Sequence, residues 1–130
     1  MVSGDTVKPP GLVEAARNAD VLVHEVLASH VVSEIEEAAA KAGRDRIVKI
    51  TDDILDYHAT PEETAAAANE ASVGLLLFYH LVPPPPNRIF EPVFARDVED
   101  VRPDGWILGS DGLLVELPIG TDEVAISSLK

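Results

Sequence analysis

Four side chains able to bind a metal or transfer a proton occur where predicted secondary-structure elements begin or end. His24 and His80 each lie at the end of an apolar run, His58 directly precedes a strong helix start, and Asp5 lies in a Gly-Asp-Thr turn. Because the loops at the ends of parallel strands converge in space, we expect these four residues to line one rim of the protein. Imidazole and carboxylate groups are normal zinc ligands, and a histidine held by a carboxylate exchanges protons near neutral pH. The pattern therefore predicts a metal site or an acid–base site.

A structural role is the alternative for each of these histidines, since buried imidazoles usually serve as hydrogen-bonded parts of the fold. The fourth histidine, His30, lies early on a predicted helix with no carboxylate at a telling spacing, and we expect it on the solvated surface. Glu62 and Glu63 are most simply acids of a first helical turn, where the helix dipole favours them.

Two apolar runs are predicted to be the interior strands that position the histidines. Residues 21–27 and 73–80 have the continuous apolar character of strands covered on both faces. Start signals and apolar spacing predict three helices, over residues 12–19, 30–42 and 61–71.

The start signals of the later two helices differ in strength. Ser29 is predicted to cap the second helix, whereas Thr60 and Glu63 form a full capping box around a proline at the first position of the third. Residues 44–57 fit either a further helix or a long loop.

The C-terminal part combines a proline run with further strands. Four consecutive prolines, residues 83–86, are predicted to form a polyproline II segment that leaves the sheet, and Pro92 to start or break a helix over residues 87–98. Residues 106–109 and 113–117 are predicted to pair as a hairpin around an intervening Asp-Gly turn. The last ten residues are predicted to be an edge strand or a tail. The order of elements predicts one domain, residues 1–130, of the α/β class, with helices packed in layers on a mixed sheet.

Composition excludes several classes of function. The 130 residues carry 23 Asp and Glu against 10 Lys and Arg, a formal charge of -13, which repels phosphate backbones and disfavours nucleic acid as a partner. The chain has no cysteine, so disulfides, thiolate metal sites and cysteine nucleophiles are excluded. No apolar run has the length of a membrane span and no signal peptide is visible, so we expect no membrane partner and a cytoplasmic location.

Four short motifs between residues 3 and 83 resemble the second half of a metallo-β-lactamase-fold hydrolase, most closely the ribonuclease Z and arylsulfatase-like branch. They are Ser-Gly-Asp-Thr at 3–6, Ala-Asp-Val-Leu-Val-His-Glu at 19–25, His-Ala-Thr-Pro-Glu-Glu at 58–63 and Tyr-His-Leu-Val-Pro at 79–83. The resemblance implies half of an αββα sandwich.

The resemblance also implies roles for particular residues. Asp5 would bridge two zinc ions, with manganese as the alternative metal, and His80 would bind one of them. His24 would transfer a proton, with the Glu25 carboxylate holding it in orientation, and His58 would face the reacting group.

The family's first metal-binding motif, His-x-His-x-Asp-His, and a further histidine are absent from these 130 residues. The chain is therefore expected to be a C-terminal half that binds metal weakly or not at all and is inactive alone. The complete enzyme is expected to hydrolyse a phosphodiester, sulfate ester or carboxylic ester. The low basic content and the apolar proline loop favour a small, largely apolar ester as substrate.

A half-domain would expose a strand edge and an apolar sheet face, so we expect either a missing N-terminal half or self-association as a dimer. A non-catalytic assembly or binding module is one alternative. A self-contained α/β binding domain that matches the motifs by chance is another. An upstream, in-frame stretch encoding His-x-His-x-Asp-His would favour the hydrolase.

Overall fold

A three-stranded parallel sheet positions the polar residues in the computed structural model, which describes residues 1–7 and 10–129. Its strands are β1 (Val21–Leu27), β2 (Leu75–Val82) and β3 (Trp106–Leu108), in the order β1-β2-β3. Both predicted interior strands are therefore confirmed. Val2 forms an isolated parallel bridge with Val23, so the N-terminal residues run along the edge of β1 that faces away from β2.

The helices lie largely where apolar spacing and start signals predicted them. In chain order they are α1 (Pro10–Ala15), α2 (Ser29–Lys41), α3 (Asp45–Ile54), α4 (Pro61–Glu70), α5 (Glu91–Phe94) and α6 (Val98–Val101), with a 3-10 helix at Arg88–Phe90. The ambiguous residues 44–57 thus contain a helix. The first helix begins and ends earlier than predicted, and Asn18, with φ of 56°, then turns the chain towards β1.

The two predicted caps have opposite outcomes. At α4, Thr60 Oγ1 accepts from Glu63 N while a Glu63 carboxylate oxygen accepts from Thr60 N, which confirms the capping box. The Ser29 cap is wrong, because α2 begins one residue earlier. Ala28 is the N-cap, and its carbonyl already accepts from Val31 and Val32.

Small side chains bring α4 close to one face of the sheet. Ala65, Ala67 and Ala68 of α4 are buried in one core with Leu76 and Phe78 of β2, together with residues of α1 and β1. Burying a large apolar side chain such as Phe78 contributes roughly 1.5–3 kcal/mol. Packing on this face holds β1 and β2, the strands that contain His24 and His80.

The predicted hairpin between residues 106–109 and 113–117 is wrong. Strand β3 pairs in parallel with β2, and the Gly109 amide extends that pairing by donating to the Phe78 carbonyl. Strand β4 (Leu113–Glu116) instead pairs antiparallel with β5 (Ala125–Ser128) in a separate sheet. The mixed α/β class is confirmed, with parallel and antiparallel pairs divided between two sheets. The end of the predicted last segment, Lys130, lies outside the described residues.

The predicted helix over residues 87–98 is replaced by the 3-10 helix and α5, and α6 begins only at its last residue. Pro92 lies in the first turn of α5, where a missing amide hydrogen costs nothing. Asp97 has a left-handed backbone, φ 70°, which ends the helical path before α6 begins. Within residues 1–7 and 10–129, no helix is both long and apolar enough to cross a membrane.

Candidate metal and acid–base site

A β-bulge at His80 turns its imidazole towards the N-terminal turn. Glu25 pairs with Tyr79 and the next residue, Val26, pairs with Leu81, so His80 has no partner in β1. Its backbone is left-handed, with φ of 45°. Bulges of this kind redirect a side chain next to functional sites. Here the His80 Nδ1 atom lies 3.0 Å from Asp5 Oδ1, and the two side chains are 46% and 60% exposed.

A second histidine–carboxylate pair lies beside the first and is buried. His58 Nδ1 is 2.7 Å from Glu25 Oε2, and the side chains are 5% and 0% exposed. The other oxygen, Oε1, accepts from the backbone amides of Thr6 at 3.1 Å and Ala59 at 3.3 Å. One buried carboxylate of β1 therefore joins the turn that carries Asp5 to the loop that carries His58.

Both histidines direct the same nitrogen at a carboxylate. Nδ1 of His58 and of His80 is engaged in this way, and Nε2 of each ring is left for a further contact. The two rings meet edge to face, with centroids 5.7 Å apart. Glu25, His58 and His80 each offer one ligand atom, and these atoms lie within 4.8 Å of one another. Imidazole nitrogen with carboxylate oxygen is a donor set that suits zinc.

His24 does not make the contact predicted for it. Its ring is wholly buried, and Nδ1 lies 2.6 Å from the backbone oxygen of Glu25, whose carboxylate contacts His58 instead. Successive side chains of a strand point to opposite faces, so His24 shares the face of Leu22 and Val26 while Glu25 faces His58. The prediction that Glu25 orients His24 is therefore wrong. Among the described residues, Nε2 of His24 has no hydrogen-bond partner.

Tyr79 is a member of the site that the sequence did not single out. Its hydroxyl donates to the Ser3 carbonyl at 2.7 Å and so ties β2 to the chain just before Asp5. Burial, followed by the negative charges of Asp5 and Glu25, raises the pKa of Tyr79 above its usual value. The phenol therefore stays protonated and able to donate. Its place directly before His80, as the first residue of the motif at 79–83, is the sequence signal that points to it.

The predicted rim exists, with one member facing away from it. The structure brings Asp5, His58 and His80 together, as predicted, and adds Glu25 through its carboxylate. His30 is separate from this group, as expected, although its Nε2 lies 2.7 Å from the Val93 carbonyl rather than being wholly solvated.

Comparisons with known proteins find similar sequences among ribonucleases Z. Ribonuclease Z of Mycobacterium tuberculosis is 39% identical over 83 residues, which are 64% of this chain and 26% of that protein. Ribonuclease Z of Mycobacterium marinum is 36% identical over 83 residues, with the same coverage. No model of a known protein family matches the chain.

A solved structure supports the fold. The metallo-β-lactamase fold protein YhfI from Bacillus subtilis matches with a TM-score of 0.53 at 18% identity, over 83% of this chain and 35% of that chain. The chain thus has the metallo-β-lactamase fold in part. Over 64% of its length the chain is similar to ribonuclease Z, and it spans about a quarter of the length of those relatives, 26%. The predicted resemblance is confirmed.

Proposed function

We propose that this chain supplies part of the active site of a metal-dependent hydrolase of the metallo-β-lactamase superfamily. The observation that carries the proposal is the exposed Asp5–His80 pair, 3.0 Å apart, beside the buried Glu25–His58 pair. Four residues from separate parts of the chain converge there on one rim, and their donor types match those of a zinc hydrolase.

Asp5 and His80 are the proposed metal ligands. Both side chains are about half exposed, so they can reach an ion without leaving a buried position. When bound, zinc, or manganese as the alternative, polarises the scissile ester and activates water. The remaining ligands, in this proposal, come from a polypeptide segment with the His-x-His-x-Asp-His pattern, which these 130 residues lack.

His58 is the proposed proton-transfer residue. Its Nδ1 contacts the buried Glu25 carboxylate, which holds the ring in one orientation. His24, assigned this role by resemblance, remains the alternative carrier. Its complete burial gives a substrate no direct route to its ring.

A small, largely apolar ester is the proposed substrate. A cavity of about 480 Å³ adjoins His80, and its walls include Leu77, Leu81, Pro84 and Leu113. That volume lies within the range of small-molecule sites, roughly 300–1,000 Å³. Asp111 also lines the cavity, and together with the net charge of -13 it disfavours a polyanion.

Hydrolysis of RNA is the second candidate, because the curated relatives are named ribonuclease Z. A segment not contained in these residues could carry the basic groups needed to hold RNA. A non-catalytic assembly module is the third, since Val23, Leu77 and Ile107 leave one sheet face only partly covered.

Reconstitution tests these candidates. The chain is mixed with a polypeptide that carries the His-x-His-x-Asp-His motif, such as the N-terminal part of a ribonuclease Z relative. Zinc content is then measured, with turnover of a p-nitrophenyl ester, p-nitrophenyl sulfate, bis-p-nitrophenyl phosphate and precursor transfer RNA. We expect ester turnover that needs both polypeptides and the metal. Turnover of the RNA alone would favour the second candidate, and stable assembly without any turnover would favour the third.

Two variants test the residue assignments in the same assay. Asp5→Asn is expected to lower both zinc content and turnover. His58→Ala is expected to lower turnover by roughly 10²–10⁴-fold, the usual contribution of a general acid or base. His30→Gln, a change in a histidine away from the rim, serves as the control. A loss in His24→Ala with none in His58→Ala would assign proton transfer to His24.

A further inference from the structure

We infer that this chain by itself binds one zinc-like divalent cation through Glu25, His58 and His80. This ligand set differs from the Asp5–His80 pair assigned above, because it uses the buried carboxylate and its histidine. The inference concerns the same rim as the proposed function, but it requires no second polypeptide. It can therefore be tested, and can fail, independently of any hydrolase activity.

The composition and spacing of the three donors carry the inference. Two imidazoles and one carboxylate form the set that binds catalytic zinc with a position left open. Glu25 Oε2 and His58 Nδ1 are already 2.7 Å apart, and a ligand atom from His80 completes a group within 4.8 Å. A cation placed here would replace the direct contact between these two atoms.

Only one donor has to move far for the group to close around an ion. Donor atoms of a tetrahedral zinc site, with bonds of about 2.0–2.1 Å, lie roughly 3.3 Å apart. Glu25 is held by the amides of Thr6 and Ala59, and it keeps His58 in place. His80 has the freedom to close the gap, because its side chain is 46% exposed and its bulged backbone has no partner in β1.

Asp5 has a different part in this site. Its Oδ1 contacts His80 Nδ1 and so orients the ring from outside the group of ligands. Removing an outer carboxylate of this kind usually weakens metal binding by about 10–100-fold without abolishing it. The resemblance-based assignment makes the opposite prediction, because there Asp5 is itself a ligand.

The experiment is calorimetric titration of the metal-free chain with Zn²⁺, repeated with Co²⁺ as a spectroscopic substitute. We expect one ion per chain. His58→Ala and His80→Ala should each weaken binding by more than about 100-fold, the upper end of what an orienting residue contributes. Asp5→Asn should retain one ion at about tenfold lower affinity. His30→Gln, which removes a histidine outside the group, should bind as the unmodified chain does.

The metal affinities of the variants, compared with one another, test the inference. The unfolding midpoint of each variant is measured as well, to show that it is folded. His80 is exposed, so His80→Ala should keep the fold even if substitution of the buried His58 does not. Binding that survives in His80→Ala would overturn the inference. Binding that Asp5→Asn abolishes while His58→Ala leaves it intact would also overturn it. Several weakly bound ions, insensitive to every variant, would show adventitious binding to the acidic surface and contradict the site.

Discussion

The two histidine–carboxylate pairs contain the same chemical groups and differ in their surroundings. Glu25 and His58 are almost fully buried, and two backbone amides complete the shell of the carboxylate. Asp5 and His80 are about half exposed, and water competes for the same atoms. Exposed pairs contribute at most about 1 kcal/mol to stability, whereas removing one partner of a buried pair costs about 3–5 kcal/mol. The buried pair is therefore expected to contribute much more to the stability of the rim than the exposed pair.

Neutralising each carboxylate in turn should produce the largest difference in stability between the two pairs. Glu25→Gln removes a charge that holds His58 and accepts from Thr6 and Ala59, so we expect the free energy of unfolding to fall by about 3–5 kcal/mol. The matched change Asp5→Asn should lower it by about 1 kcal/mol or less. Urea unfolding followed by circular dichroism measures both. Equal losses in the two variants would mean that the buried pair stabilises the fold no more than the exposed pair does.

The coupling energies of the two pairs, measured by double-mutant cycles, should differ by less than the stabilities do. The coupling between Glu25 and His58 is expected to be about 1.5–3 kcal/mol, the range of hydrogen bonds to charged groups. For Asp5 and His80 we expect about 0.2–1 kcal/mol. High salt should reduce the exposed coupling and leave the buried one nearly unchanged. A buried coupling that disappears in 1 M salt would show that water reaches Glu25.

The Tyr79 hydroxyl ties β2 to the chain just before Asp5, so removing it tests what positions the exposed Asp5–His80 pair. Tyr79→Phe removes the bond to the Ser3 carbonyl and should cost about 0.5–1.5 kcal/mol. It should also speed amide hydrogen exchange in the turn that carries Asp5. Tyr57, which is 50% exposed, provides the control, and Tyr57→Phe should change stability by less than about 0.5 kcal/mol. Unchanged exchange near Asp5 in Tyr79→Phe would mean that Glu25 alone holds the turn.

The smallest expected effect is a loss of stability at alkaline pH. The pKa of Tyr79 is raised in the folded protein by burial and by the charges of Asp5 and Glu25. As pH rises past the unfolded tyrosine value of about 10, the unfolded state loses the proton first, so stability should fall. Unfolding measured at increasing pH should show this slope in the parent chain and a shallower one in Tyr79→Phe. Identical slopes would remove Tyr79 as the cause.

Local patterns predicted much of the framework and part of the site. The continuous apolar runs predicted β1 and β2, and the Thr60–Glu63 capping box predicted the start of α4, because these signals depend on neighbours in sequence. The rule that polar residues gather at the ends of parallel strands predicted from the sequence alone that Asp5, His58 and His80 share one rim.

The partners of individual groups depended on the tertiary structure. Strand β3 pairs with the edge of β2 and not with β4, which follows it in the sequence. The hydrogen-bonding groups on that edge of β2 are 25 or more residues away in sequence, so local patterns could not predict this pairing. The carboxylate of Glu25 met His58, 33 residues away, rather than the adjacent His24, because the pleat of β1 separates adjacent side chains. Residue types and spacing thus determined which groups reach the rim. The pleat and the bulge at His80 decided which histidine is buried against a carboxylate and which remains exposed.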